Sequence, residues 1–180
     1  MRHIKRFAAA ISLSLIAATV GCAEEETKTA PKLPEQFCWN AFDRNDIQPF
    51  LPVGDRLSQD TNAFSFSERK QSASCLVHVD GDSAFSARAS FQETEAGFEW
   101  SSFDRLDPDP LSIGKKGIAW DTGALTYFPC KTPVDSGPST ANYLELNIFL
   151  SGARVQNHRK TLPGLLQQFT TFAQKELKCA

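Results

Sequence analysis

Three stretches of this chain carry the clearest hydrophobic rhythm. In Ala84–Phe91, Phe85, Ala87, Ala89 and Phe91 share one side of a two-residue period, and Ser86, Arg88 and Ser90 take the other. That pattern predicts a strand with one covered and one more polar face. Tyr143–Leu150 repeats it, with Leu144, Leu146, Ile148 and Leu150 against Tyr143, Glu145, Asn147 and Phe149. Near the C-terminus, Leu162, Leu165, Leu166, Phe169, Phe172, Ala173 and Leu177 recur at helical spacing. Thr161 stands where an N-cap belongs, and Pro163 sits early, where a missing N–H is harmless. This stripe predicts a helix packed on a sheet.

Weaker signals fill in the rest. Glu35–Phe42 reads as helical with Phe37 and Phe42 inward, and Asp43 can cap a second short helix around Arg44–Phe50, broken by Leu51-Pro52-Val53-Gly54. Ser74–Asp80 predicts a strand joined to Ala84–Phe91 by a turn at Gly81-Asp82, which makes a hairpin. A second hairpin is expected from Lys116 to Cys130, with its turn at Asp121-Thr122-Gly123. Thr132–Thr140 is rich in Pro, Gly and Ser and reads as a loop; Glu93–Leu111 reads as a helix or an excursion over a pocket. Hairpins flanked by terminal helices predict an α+β domain: a mainly antiparallel sheet packed with an N-terminal and a C-terminal helix.

The first residues follow a different rule. Arg2, Lys5 and Arg6 precede the uncharged run Phe7–Val20, and Gly21 and Cys22 follow it. Basic, apolar, then small residues before a cysteine is the layout of a bacterial lipoprotein signal, with Thr19 where leucine is usual. The run is 14 residues, short of the roughly 20 a spanning helix needs. Residues 1–21 are therefore expected to be a signal peptide, with Cys22 the lipid-attachment residue that anchors the chain to a membrane on its extracytoplasmic face. Residues 22–34, with three consecutive glutamates and two prolines, are expected to be a flexible tether, and 35–180 a single globular domain.

Charge and cysteines sharpen this. Without Arg2, Lys5 and Arg6 the chain carries 16 basic against 21 acidic residues, which argues against nucleic acid as a partner. Five cysteines leave one odd in an oxidising compartment. Lipid on Cys22 leaves Cys38, Cys75, Cys130 and Cys179 for two disulfides. Of the three pairings possible, Cys38–Cys75 and Cys130–Cys179 are favoured: the first would staple the N-terminal helix to the first strong strand, the second the end of a strand to the end of the last helix. The spacing does not suit a metal, since no two cysteines are close and neither His78 nor His158 completes a ligand motif.

The order of Cys38 opening a helix, Cys75 within SCLVHV, Cys130 after TGALTYFP, then YLELNIFL and a helix ending LKCA resembles the uncharacterised secreted lipoproteins common in actinobacteria. It is more distantly similar to the extracellular sensor domain of mycobacterial PknH-type kinases. The resemblance covers Cys38–Cys179. It implies a sheet packed with helices, two disulfides and a cleft that senses or binds a ligand, and it transfers no binding residues.

Catalytic signatures are not evident. There is no G-x-S-x-G elbow, and Gly114-Lys115-Lys116-Gly117 does not make a P-loop. His78 is expected to be a satisfied strand histidine and His158 a solvated one. Asp104, Asp107 and Asp109 are interrupted by prolines and read as a rigid acidic turn rather than a Ca²⁺ loop; Glu93, Glu95 and Glu99 read as a solvated face. No catalytic residue, metal or cofactor is expected. The leading functional reading is a non-enzymatic envelope lipoprotein that binds a small-molecule or protein partner, with Phe98, Trp100 and Phe103 the candidate ligand-binding residues. The alternatives are a structural or immunity-type interaction protein and an envelope hydrolase.

Overall fold

A computed structural model describes residues 29–98, 100–131, 141–151 and 158–179. Seven strands form one antiparallel sheet: β1 Leu57–Thr61, β2 Ser72–Val79, β3 Asp82–Gln92, β4 Asp109–Leu111, β5 Lys116–Trp120, β6 Gly123–Pro129 and β7 Tyr143–Leu150, in the order β1-β2-β3-β7-β6-β5-β4. Helices are α1 Arg44–Ile47 and α2 Leu162–Leu177, with 3₁₀ turns at Cys38–Asn40, Gln48–Phe50, Glu95–Gly97 and Trp100–Leu106. The fold is α+β, and both disulfides, Cys38–Cys75 and Cys130–Cys179, pair as expected. No described helix is long and apolar enough to cross a membrane.

Both hairpins close through two-residue loops. Asp80 and Gly81 join β2 to β3 with φ of 53° and 93°; positive φ at both positions matches the twist of the flanking strands, and Gly81 takes it without steric cost. Alternation then selects the buried face. Cys75, Val77 and Val79 on β2, Phe85, Ala87 and Ala89 on β3, and Leu144, Leu146 and Ile148 on β7 all point to one side. There α2 lies over β6 and β7, with Leu162, Leu165, Leu166, Phe169 and Ala173 buried. The alanines of β3 leave room for phenylalanines from elsewhere: Phe85 meets Phe37 at 5.7 Å and Phe42 at 5.3 Å between ring centroids, and Phe42 meets Phe169 at 5.3 Å.

The N-terminal part differs from expectation. Instead of a helix over Glu35–Phe42 there is a single 3₁₀ turn in which Cys38, Trp39 and Asn40 have φ of 40°, 61° and 60°. A right-handed helix is overridden by tertiary contacts at both ends of the turn. Cys38 is bonded to Cys75, and Trp39 stacks on Phe169 at 5.9 Å and donates from Nε1 to the Asn62 carbonyl at 2.7 Å. The second short helix does form: Asp43 caps it, accepting from the Asn45 N–H at 2.8 Å.

Contact with the domain also starts before Glu35. Leu33 is buried, its N–H donates to Gln48 Oε1, Gln48 Nε2 donates to the Pro31 carbonyl, and the Gly54 N–H donates to the Thr29 carbonyl. Residues 29–34 thus lie against the fold, and their part of the expected tether is corrected: Leu33 supplies an apolar anchor that the segment's overall polarity concealed. Strand β1 has no counterpart in the hydrophobic pattern, because its sequence LSQDT carries too little apolar alternation to announce a strand. The expected loop Thr132–Thr140, Cys22 and Glu99 lie outside the described residues.

Candidate functional site

The face of the sheet opposite α2 holds the chemistry. On it, Ser74, Arg88 and Asn147 lie in one cross-strand row, and Ser90, Glu145 and Tyr127 in another. The Gln92–Tyr143 pair adjoins them. This is the polar half of the alternation read from the sequence. Further along the sheet the same face turns apolar. Ile118, Trp120 and Leu125 form a second, smaller cluster, with Trp100, Phe103 and Phe149 packed on it.

The three candidate ligand-binding aromatics arrive on the segment between β3 and β4. Phe98 is buried, with its ring 4.3 Å from Tyr127 and 6.4 Å from Tyr143. Trp100 is half-buried 5.6 Å from Tyr127, with Lys116 Nζ 4.2 Å above its ring. Phe103 packs 5.1 Å from Trp120. Phe98 and Trp100 belong to one aromatic group and Phe103 to the next; together they strap the apolar part of the outer face. Backbone hydrogen bonds within the segment run from Gly97 to Thr94 and from Phe98 to Glu95, and side chains attach it to the sheet.

One of these is Glu95, read from the sequence as solvated. Its carboxylate accepts from the Tyr143 hydroxyl at 2.9 Å, from the Tyr127 hydroxyl at 3.1 Å and from the Lys115 ammonium. The Lys115 hydrogen bond, helped by Tyr143, holds the Glu95 carboxyl below its ordinary value, and Glu95 in turn raises Lys115. Tyr127 is pushed up chiefly by burial and Tyr143 chiefly by its bond to Glu95. Both phenols therefore keep their protons: they are donors that hold the strap, not activated nucleophiles. Glu145 is the contrasting carboxylate. Burial raises it, and its bonds are long and from neutral amides, Asn147 Nδ2 at 3.2 Å and Gln92 Nε2 at 3.4 Å. Arg88 beside it donates instead to Ser90 Oγ at 3.1 Å.

The other sequence candidates are dispersed. His78 faces outward on β2, in register with Ser58 and Ser83, and its buried Nδ1 has no hydrogen-bond partner. It is therefore not the satisfied histidine expected, nor is it bonded to a serine. His158 is not fully solvated: its ring meets Phe50 edge-on at 4.7 Å, and burial lowers its pKa. The acidic turn is engaged by a cation from the far end of the chain. Arg159 donates from Nε to Asp121 at 2.6 Å and from Nη1 to the Asp107 carbonyl at 2.5 Å; Nη1 also lies 3.3 Å from Asp109, and Nη2 donates to the Leu106 carbonyl at 3.2 Å. Among the described residues no three His, Cys, Asp or Glu side chains converge to hold a metal ion. A cavity of about 230 Å³ lies on the other side of the molecule, lined by Asp46, Phe50, Lys160, Thr161, Gly164 and Leu165, and contains none of the three candidate aromatics.

No protein-family model, curated protein or solved structure matches this chain. The site therefore rests on its own geometry. Of its members, only Phe98, Trp100 and Phe103 stood out in the sequence. Tyr127, Tyr143, Glu145 and Asn147 were placed correctly on strands, but nothing in a linear pattern pairs Glu95 with two tyrosines 32 and 48 residues away.

Proposed function

We propose that this protein is an extracytoplasmic lipoprotein, anchored by lipid on Cys22, that binds a small-molecule or protein partner at the cell envelope without catalysing a reaction. The observation that carries the reading is the pairing of four cysteines into two disulfides, which leaves Cys22 as the odd one, directly behind an apolar run and three basic residues. Structural disulfides suit an oxidising, exported setting, and an unpaired exposed thiol there would be a liability that acylation removes.

The binding surface is the outer face of β3 and β7 beside the strap. Arg88, Ser90, Gln92, Glu145 and Asn147 offer donors and acceptors on rigid strands, and Trp100 gives an adjacent half-buried ring. The partly desolvated Glu145, bonded by two neutral amides, is a group whose environment a ligand donor would improve.

Labelled fatty acid supplied to cells producing the full chain is expected to enter the protein and be lost in Cys22→Ala, with the variant moving from the membrane to the soluble fraction. Equal labelling and membrane retention in Cys22→Ala would rule out the anchor.

A further inference from the structure

We infer that the outer face of β3 and β7 binds a small ligand through a free α-amino-acid group, with the ligand carboxylate on Arg88 and the ligand ammonium on Glu145. The inference rests on the reading of this face as the binding surface and names the chemistry it takes. In the β3–β7 ladder Arg88 lies opposite Asn147, and Ser90 opposite Glu145. Arg88 and Glu145 are therefore diagonal neighbours on one face, with Cβ atoms roughly 7–8 Å apart, a span that long side chains can cross. Yet no hydrogen bond or ion pair joins them, and each is held by neutral groups instead. Arg88 donates from Nε to Ser90 Oγ at 3.1 Å. That bond sets the plane of the guanidinium, and among the described residues Nη1 and Nη2 donate to no protein group. Glu145 accepts one amide hydrogen on each oxygen, from Asn147 Nδ2 on Oε1 and from Gln92 Nε2 on Oε2. A carboxylate offers about four acceptor sites, so both oxygens keep capacity. Arg88 is exposed and Glu145 half-buried, which leaves the gap between them open to solvent.

The two charges together select the ligand. A simple anion on Arg88 meets the Glu145 carboxylate beside it, and a simple cation on Glu145 meets the guanidinium. Each gains one attraction and takes one repulsion. A group that carries both charges gains both attractions. An α-amino-acid group bears its ammonium and carboxylate on a single carbon, so one ligand atom sets both against the face. The planar carboxylate matches the two free Nη donors. The ammonium brings charged donors to a carboxylate that otherwise has neutral ones. Ser74, opposite Arg88 on β2, accepts from Asn62 Nδ2 at 3.3 Å, which leaves its own O–H to donate to the ligand carboxylate. A phosphate or sulfate would use the same donors of Arg88 and Ser74 but has nothing to give Glu145.

The test titrates the full chain in mild detergent with L-alanine, L-alaninamide and N-acetyl-L-alanine, followed by side-chain NMR. L-alanine is expected to shift the signals of Arg88 Nε and of the Gln92 and Asn147 amides. It should bind about tenfold more tightly than L-alaninamide, which lacks the carboxylate, or N-acetyl-L-alanine, which lacks the ammonium. Arg88→Gln should erase the advantage over the amide and keep the advantage over the acetylated form. Glu145→Gln should do the reverse. Both variants are expected to keep the two disulfides and the parent circular dichroism, and a general loss of structure would not produce this crossed pattern. L-alanine that shifts none of these signals overturns the inference. So does equal binding of the three ligands, or a loss of both preferences in each folded variant. Equal binding that Arg88→Gln abolishes would overturn the α-amino-acid ligand while leaving this face as the binding surface. Acylation of Cys22 is read independently, so the two readings fail separately.

Discussion

Glu95 and Glu145 share the outer face of the sheet and are pushed in opposite directions. Glu95 is ionised more readily in the fold than out of it, because Lys115 and two phenols donate to it. Its contribution is present above the ordinary carboxylate value of 4.5 and is lost as pH falls through the lower folded value. Glu145 is held up by burial, so stability is lost as pH rises from 4.5 through its raised folded value. Chemical denaturation across the acid range is expected to separate them. Glu95→Gln should flatten the loss of stability on acidification and lower stability at neutral pH. Glu145→Gln should leave the acid side unchanged and raise stability at neutral pH. Matching profiles for the two variants would contradict the assigned environments. Sequence alternation placed Glu145 on the polar face of β7, but its desolvation depends on Gln92 and Asn147 crowding the same patch. Glu95 was legible only as one acidic residue among three, since its partners come from the segment before β5, from β6 and from β7.

At the level of elements, legibility followed how much of the instruction was local. Helix α2 and strands β2, β3, β5, β6 and β7 have their own periodicity and turn residues, and they appear close to where the pattern put them. The Cys38–Asn40 turn has helix-compatible residues but a left-handed backbone, because its contacts are with Cys75, Phe169 and Asn62. The strap between β3 and β4 shows the same dependence. Its last residues are held by Arg159, whose guanidinium ties the Leu106 and Asp107 carbonyls and Asp109 to the β5–β6 turn at Asp121, just before α2. The side chain is only 20% exposed, so these bonds are shielded from water on one side. Arg159→Ala is expected to lower the urea midpoint and to speed amide exchange at Leu106, Asp107 and Asp109. Arg159→Lys should recover little of this, because a single ammonium cannot replace the planar fork. Full recovery with lysine would reduce the clamp to a simple charge contact.

Over the whole molecule the two disulfides divide the work. Cys38–Cys75 fastens the N-terminal segment to β2 across a separation of 37 residues, and Cys130–Cys179 fastens the end of α2 beside the end of β6 across 49. Each therefore secures a peripheral element to a different half of one sheet, and the core phenylalanines lie between them. Closing loops of these lengths is worth about 4 kcal/mol each in the chain-entropy picture, against a total stability on the order of 5–15 kcal/mol for a domain. Removing one bridge should leave a folded but weakened protein, and removing both should leave little margin. Cys130→Ala/Cys179→Ala is expected to lower the urea midpoint and to free the last turn of α2 to exchange, while β2 stays protected. Cys38→Ala/Cys75→Ala should lower it by a similar amount but loosen residues 38–50 instead. The quadruple variant is expected to be largely unfolded at ordinary temperature by circular dichroism. A quadruple variant as stable as either double variant would mean that the sheet and α2 hold both peripheries unaided, and that the bridges serve only to consume reactive thiols in an oxidising compartment.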